Sequence, residues 1–236
     1  MKYLDFFEDV YYINLDYRID RRENFEKRLF EVGINAIRFP AIQVEYKDCP
    51  QRIKDEIEKA KPRITVSQYN TWIKQKCGEI GCCLSHIEVI KQAKLRELKN
   101  VLIFEDDCVF LENWNIDIAN CVDELKTLDW SIIYLGGEPN ADFVPLTKYL
   151  SLVTGVYCAH SYAIDNKFFD MIIGLDINWC SQIDVFYLNY SINARKYIVP
   201  NNMMTMQDVS YSDIRCDVSQ NNKENSLNKW NINKKW

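Results

Sequence analysis

Apolar residues along the chain fall into short unbroken runs that alternate with sets at helical spacing. Val10, Tyr11, Tyr12 and Ile13, inside residues 9–15, form a β-branched and aromatic run that predicts a first strand. From about Arg21 the pattern turns helical, with Phe25, Leu29 and Phe30 on one face and Gly33 as the stop. Residues 36–42 predict a second strand, with Pro40 marking its end or an edge position. Residues 47–63 are highly charged and hold only a short amphipathic segment around Ile53 and Ile57, the pattern of a surface excursion. Ile80, Cys83, Leu84, Ile87 and Ile90 recur at helical spacing, and Gly78 and Gly81 at the start of that helix would permit a close approach. Val101, Leu102, Ile103 and Phe104 are four apolar residues in a row, as in a strand covered on both faces. A helix around residues 116–125 and strands at 130–135, 157–164 and 196–199 complete the alternation. That order predicts an α/β fold with a mostly parallel central sheet flanked by helices.

The length of 236 residues suits one domain, placed here at 1–214, followed by an Asn- and Lys-rich tail at 215–236 expected to be loosely held. With 47% hydrophobic and 27% charged residues the composition is that of a soluble globular protein. No run reaches the ~18–20 apolar residues of a membrane span, and acids interrupt the N-terminus too early for a secretory signal, so membrane association would be peripheral. The formal charge of −5 argues against general affinity for nucleic acid. Nine scattered cysteines, an odd number, fit a reducing compartment such as the cytoplasm. Cys77, Cys82 and Cys83 invite a zinc reading but lack paired C-x2-C knuckles. Richness in Ile, Asn and Lys points to an AT-rich genome, as in some bacteria or large viruses.

The candidate chemistry sits at strand ends, where open α/β sheets bind ligands. Glu105, Asp106 and Asp107 close the run at 101–104; they read either as a solvated acidic turn or as carboxylates held together by a divalent cation. After the first strand, Arg18, Arg21 and Arg22 fit either a diphosphate grip or a solvated helix face. His86 reads more simply as a packed, hydrogen-bonded residue than as a ligand, and His160 faces either cleft or core. Ser181 and Asp184 fit a capping box, while a carboxylate at 184 could instead take a proton from a sugar hydroxyl. Met203, Met204 and Met206 offer an adaptable apolar lining before the polar residues 207–214.

Taken together, Ile13-Asn14-Leu15 with Arg18 and Arg22, then Gly78-Glu79-Ile80-Gly81 with Leu84-Ser85-His86, then Glu105-Asp106-Asp107, resemble glycosyltransferase family 25, which includes lipopolysaccharide and procollagen galactosyltransferases. The likeness continues more weakly through Tyr134 to Gly136, residues 154–164, Asp184 and residues 207–214. It implies a GT-A-type fold binding a UDP-hexose donor, usually UDP-galactose or UDP-glucose, commonly with Mn2+, and transfer with inversion to a glycan, lipid-linked glycan or protein. Carried over, Glu105 and Asp107 would serve the metal, and Asp184 would be the base. Asn14, Leu15, Arg18, Arg22, Gly78, Glu79, His86 and Asp106 would hold the nucleotide-sugar. A catalytically degenerate binding module of the same fold is the alternative reading. A nucleotidyltransferase is a third, though no glycine-rich triphosphate loop is visible.

Overall fold

The computed structural model describes residues 4–178, 182–190, 197–208, 211–214, 217–218, 227–228 and 230–231. In chain order its principal strands are β1 (Asp9–Asn14), β2 (Ile37–Pro40), β3 (Asn100–Glu105), β4 (Cys108–Phe110), β5 (Ile132–Tyr134), β6 (Glu138–Pro139), β7 (Val144–Pro145), β8 (Leu150–Val153), β9 (Val156–Tyr157), β10 (Ser161–Asp165), β11 (Tyr197–Pro200) and β12 (Thr205–Gln207). The helices are α1 (Ile19–Glu31), α2 (Gln51–Ala60), α3 (Val66–Leu95), α4 (Trp114–Leu125), α5 (Phe169–Ile173) and α6 (Ile183–Tyr190).

Eight strands form one sheet in the order β2-β1-β3-β10-β5-β11-β8-β7. β2, β1 and β3 are mutually parallel, β10 runs against β3 and β5, and β11 returns parallel to β5. β8 opposes β11 and β7 opposes β8, so six of the eight strands share one direction. This is the mostly parallel α/β sheet that the alternation of elements predicts.

Side chains alternate along each strand into two cores, one per face. Tyr11, Ile13, Ile103 and Tyr162 pack under Ile87 and Ile90 of α3. Val10, Tyr12, Leu102 and Phe104 pack under Phe25 and Leu29 of α1 and Ile118 and Val122 of α4. All four residues of the 101–104 run are 0% exposed, and burial of each such side chain contributes about 1.5–3 kcal/mol.

Three sequence expectations change. Phe30 is 85% exposed, because five residues beyond Phe25 the helix has turned ~140° off the buried stripe. α3 begins twelve residues before Gly78, at Val66, with a capping box between Thr65 and Gln68. Its first turns escape an apolar pattern because they bury little, giving only Tyr69, Ile73 and Cys77 to a small cluster with Ile53 and Ile57 of α2. The stretch 157–164 is two strands, interrupted where Cys158 takes a left-handed conformation (φ 68). Within the segment read as a tail, Trp230 is fully buried, its ring edge-on to Phe143 and its Nε1 donating to Pro200 O at 3.3 Å. Among the described residues no helix is long and apolar enough to cross a membrane.

Candidate active site

The carboxyl ends of β1 and β3, the start of the reversed β10 and the first turn of α6 converge at one edge of the sheet. α3 is fixed there by two interleaved i, i+4 pairs. In the first, a Cβ on Gly81 would lie 2.5 Å from Ile42 O, and Ser85 Oγ donates to Gly81 O (2.7 Å) while accepting from Ile42 N (2.8 Å). Only glycine lets the helix sit this close to the 41–44 loop. In the second pair, one residue further round, Cys82 Sγ and His86 Nε2 lie 3.7 Å and 3.2 Å from Glu105 Oε1. The other nitrogen of His86 meets Tyr162 Oη at 2.9 Å, and Tyr187 Oη donates to Tyr162 Oη at 3.0 Å. Because the atoms that an added Cβ would meet, Ile42 O and C and Val44 N, are all backbone and cannot swing aside, Gly81→Ala is expected to destabilise the fold by about 1–3 kcal/mol in urea unfolding. An unchanged midpoint would mean that the 41–44 loop yields freely.

The three acids are held in three different ways. Asp106 is buried and fully engaged, Oδ2 accepting from Asn14 Nδ2 (2.7 Å) and Oδ1 from Arg21 Nη1 (2.8 Å). Asn14 in turn receives Arg38 Nε at 3.0 Å and donates to Arg18 O at 3.1 Å, which joins β2 and the start of α1 to the same cluster. Glu105 is raised by burial, but the hydrogen bond and charge of His86 outweigh it, and its carboxyl is held below the ordinary value. Asp107 goes the other way: burial first, then the charges of Glu105 and Asp106, push its carboxyl up to about 7 against the pull of Arg21, 3.6 Å away. Active sites use neighbouring carboxyls driven apart in this manner to separate acid from base roles.

Two cavities open on these acids. The larger, about 470 Å3, is lined by Asn14, Leu15, Tyr17, Ile42, Gly78 and Asp106 among others, and falls within the roughly 300–1,000 Å3 usual for small-molecule sites. The smaller, about 160 Å3, is lined by Glu79, Cys158, Gln182 and Asp184. Arg21, Cys82, Glu105, Asp107, Gln207, Ser212 and Ile214 belong to both walls, so the carboxylates stand where the cavities meet.

Asp184, in the first turn of α6, accepts from Cys158 N at 2.9 Å through Oδ2 and from Val185 N at 2.8 Å through Oδ1. It thereby holds Cys158 in its left-handed conformation, a strained position of the kind that gathers at working sites. The Ser181 half of the expected capping box lies outside the described residues.

Of the remaining residues singled out in the sequence, Asn14, Leu15, Gly78 and Asp106 line the larger cavity and Glu79 the smaller. His86 is fully buried behind Glu105. Arg18 is engaged by Asp20 (2.8 Å) and by Asp213, and neither it nor Arg22 is among the residues lining the two cavities. Arg21 reaches the acids instead, and the sequence does carry the signal: it stands four residues before Phe25, on the buried stripe of α1. His160 packs toward the core at 1% exposure, and burial lowers its pKa to about 4, so it is neutral.

Asp107 Oδ1 is buried and accepts no hydrogen bond among the described residues. A hard divalent cation bound through one or two carboxylates and completed by substrate phosphates would satisfy that oxygen, so the oxygen donors of Asp107 and the adjacent Glu105 fit such an ion.

A mostly parallel α/β sheet thus sets strand-end carboxylates where two cavities meet. The family model described as "Glycosyltransferase family 25 (LPS biosynthesis protein)" matches residues 7–162, and the chain belongs to that family. Among curated relatives, procollagen galactosyltransferase 1-A of Xenopus laevis is 32% identical over 134 residues, 55% of this chain and 21% of that protein. Procollagen galactosyltransferase 2 of Mus musculus is 30% identical over 158 residues, 66% of this chain and 25% of that one. The matched part therefore spans about a quarter or less of those relatives. Both are animal proteins and lend no support to the bacterial or viral origin that composition pointed to. The crystal structure of a glycosyltransferase involved in the glycosylation of the major capsid of PBCV-1 superposes with a TM-score of 0.42 at 8% identity, covering 95% of this chain and 98% of that one. At that score the likeness bears no further argument.

Proposed function

We propose that the chain transfers a hexose, galactose or glucose, from a UDP-sugar to a hydroxyl group of a glycan, lipid-linked glycan or protein, with inversion at the anomeric carbon. The observation that carries this reading is the meeting of two cavities at Glu105 and Asp107, with Asp184 on the wall of the smaller. The family and its galactosyltransferase relatives support the hexose.

In this reading the larger cavity takes the nucleotide diphosphate along Asn14, Leu15 and Gly78, and Asp106 acts by fixing Asn14 and Arg21. The acceptor enters the smaller cavity, where Asp184 takes the proton of the attacking hydroxyl. The acceptor oxygen bonds to the anomeric carbon as the bond to the β-phosphate oxygen breaks, and UDP departs carrying the electron pair. Asp107 and Glu105 would hold Mn2+ or a similar divalent cation, which would supply positive charge against the charge gathering on the diphosphate. Confinement of both substrates against one shared wall supplies orientation, for which effective molarities are large.

The test is UDP release from a panel of UDP-hexoses and glycan, lipid-linked and peptide acceptors, with and without Mn2+. Release with UDP-galactose or UDP-glucose, lost on adding EDTA and restored by Mn2+, is expected. UDP binding by calorimetry without release across that panel would replace this reading with the degenerate binding module.

A further inference from the structure

A second metal-ligating set lies beside the first and differs from it in chemistry. Cys82, His86 and Glu105 present a sulfur, a nitrogen and an oxygen that all lie within 4.8 Å of one another. Cys82 and His86 stand one helical turn apart on α3, and Glu105 reaches them from the end of β3. Tetrahedral zinc, with Zn–S of ~2.3 Å and Zn–N or Zn–O of ~2.0–2.1 Å, sets S···O and N···O edges of roughly 3.5 and 3.3 Å. Cys82 Sγ and His86 Nε2 are 3.7 and 3.2 Å from Glu105 Oε1.

Two further features match a soft divalent site. His86 Nδ1 faces Tyr162 Oη at 2.9 Å, the outer hydrogen bond that orients an imidazole so that Nε2 is presented to a metal. Cys82 and Glu105 also line both cavities, which leaves a fourth direction open to solvent or ligand. Asp107, by contrast, offers only oxygen, which suits a hard cation.

We propose that Cys82, His86 and Glu105 form a zinc-binding site distinct from the Asp107 carboxylate. The same distances also suit plain hydrogen bonds, and the two readings differ in whether the trio takes up metal. Since Glu105 is common to both sets, zinc here draws it away from the transfer centre, and inhibition of transfer by zinc follows. That consequence rests on the transferase reading, whereas the binding itself does not.

The full chain is titrated with Co2+, a spectroscopic stand-in for zinc, in the presence of a thiol reductant that does not bind metal. One equivalent should produce a thiolate-to-cobalt charge-transfer absorption that zinc displaces. Cys82→Ser should abolish the band and Asp107→Ala should retain it. Tyr162→Phe should weaken affinity by roughly 10–100-fold, as loss of an outer-sphere partner does. Absence of the band from the folded parent protein overturns the proposal. So does its persistence in Cys82→Ser, which would move the metal to other thiols such as Cys49 and Cys77, whose sulfurs are 3.5 Å apart. If circular dichroism shows that Cys82→Ser is unfolded, His86→Gln takes its place, with a clear loss of cobalt affinity expected and parental affinity overturning the proposal.

Discussion

Asp107→Ala is expected to lower the rate of sugar transfer by at least the roughly 10²–10³ seen when one preorganised electrostatic group is removed from a reaction centre, while the protein remains folded. The expectation comes from the way Asp107 is held. Its Oδ1 is buried with no donor among the described residues, and Arg21 stands 3.6 Å from the carboxylate without neutralising all of its neighbours. Such a group costs stability when ionised and is retained where function demands it.

The pH dependence follows with a definite sign. With the folded carboxyl raised to about 7, and the unfolded one near its ordinary value, the folded state binds the extra proton between about pH 4 and pH 7. Stability of the parent therefore falls as pH rises through that window. Asp107→Ala removes this loss, so in EDTA its advantage over the parent should grow from pH 4 to pH 7 and then level off. A variant that loses both activity and stability would point to a structural carboxylate, and one that keeps full Mn2+-dependent activity would remove Asp107 from the reaction.

Asp184→Asn carries the second large effect. Base removal lowers rate by roughly 10²–10⁴, and the donor KM should stay near that of the parent because Asp184 lines only the smaller cavity. The competing role is structural: Oδ2 holds Cys158 N at 2.9 Å and Oδ1 holds Val185 N at 2.8 Å. Asparagine keeps one acceptor oxygen and gives up the other, so the structural role predicts a lowered unfolding midpoint with most of the turnover retained. Measurement of kcat, donor KM and midpoint on one preparation separates the two.

Much of the scaffold is legible in the chain because strands buried on both faces announce themselves. The run at 101–104 and its acidic end can be read directly, and the parallel order follows from the alternation of elements. Other features depend on distances that sequence does not encode. Cys82 and His86 are 19 residues or more from Glu105, and their meeting requires Gly81 and Ser85 to seat α3 against the 41–44 loop. Helical phase separates Arg21 from Arg22: one residue is a turn of ~100°, and it is Arg21 that reaches the acids while Arg22 lies outside both cavity linings. The early start of α3 was hidden because its first turns cover only a small satellite cluster.

The smaller cavity has a consequence for economy of the donor. At about 160 Å3 it has room for several waters when no acceptor fills it, and in the proposed reaction each would be a rival nucleophile within reach of the same base. Loss of sugar to water is then the chain's natural side reaction, and an acceptor serves as a plug as well as a substrate. Fidelity would depend on how completely the acceptor empties that lobe of solvent.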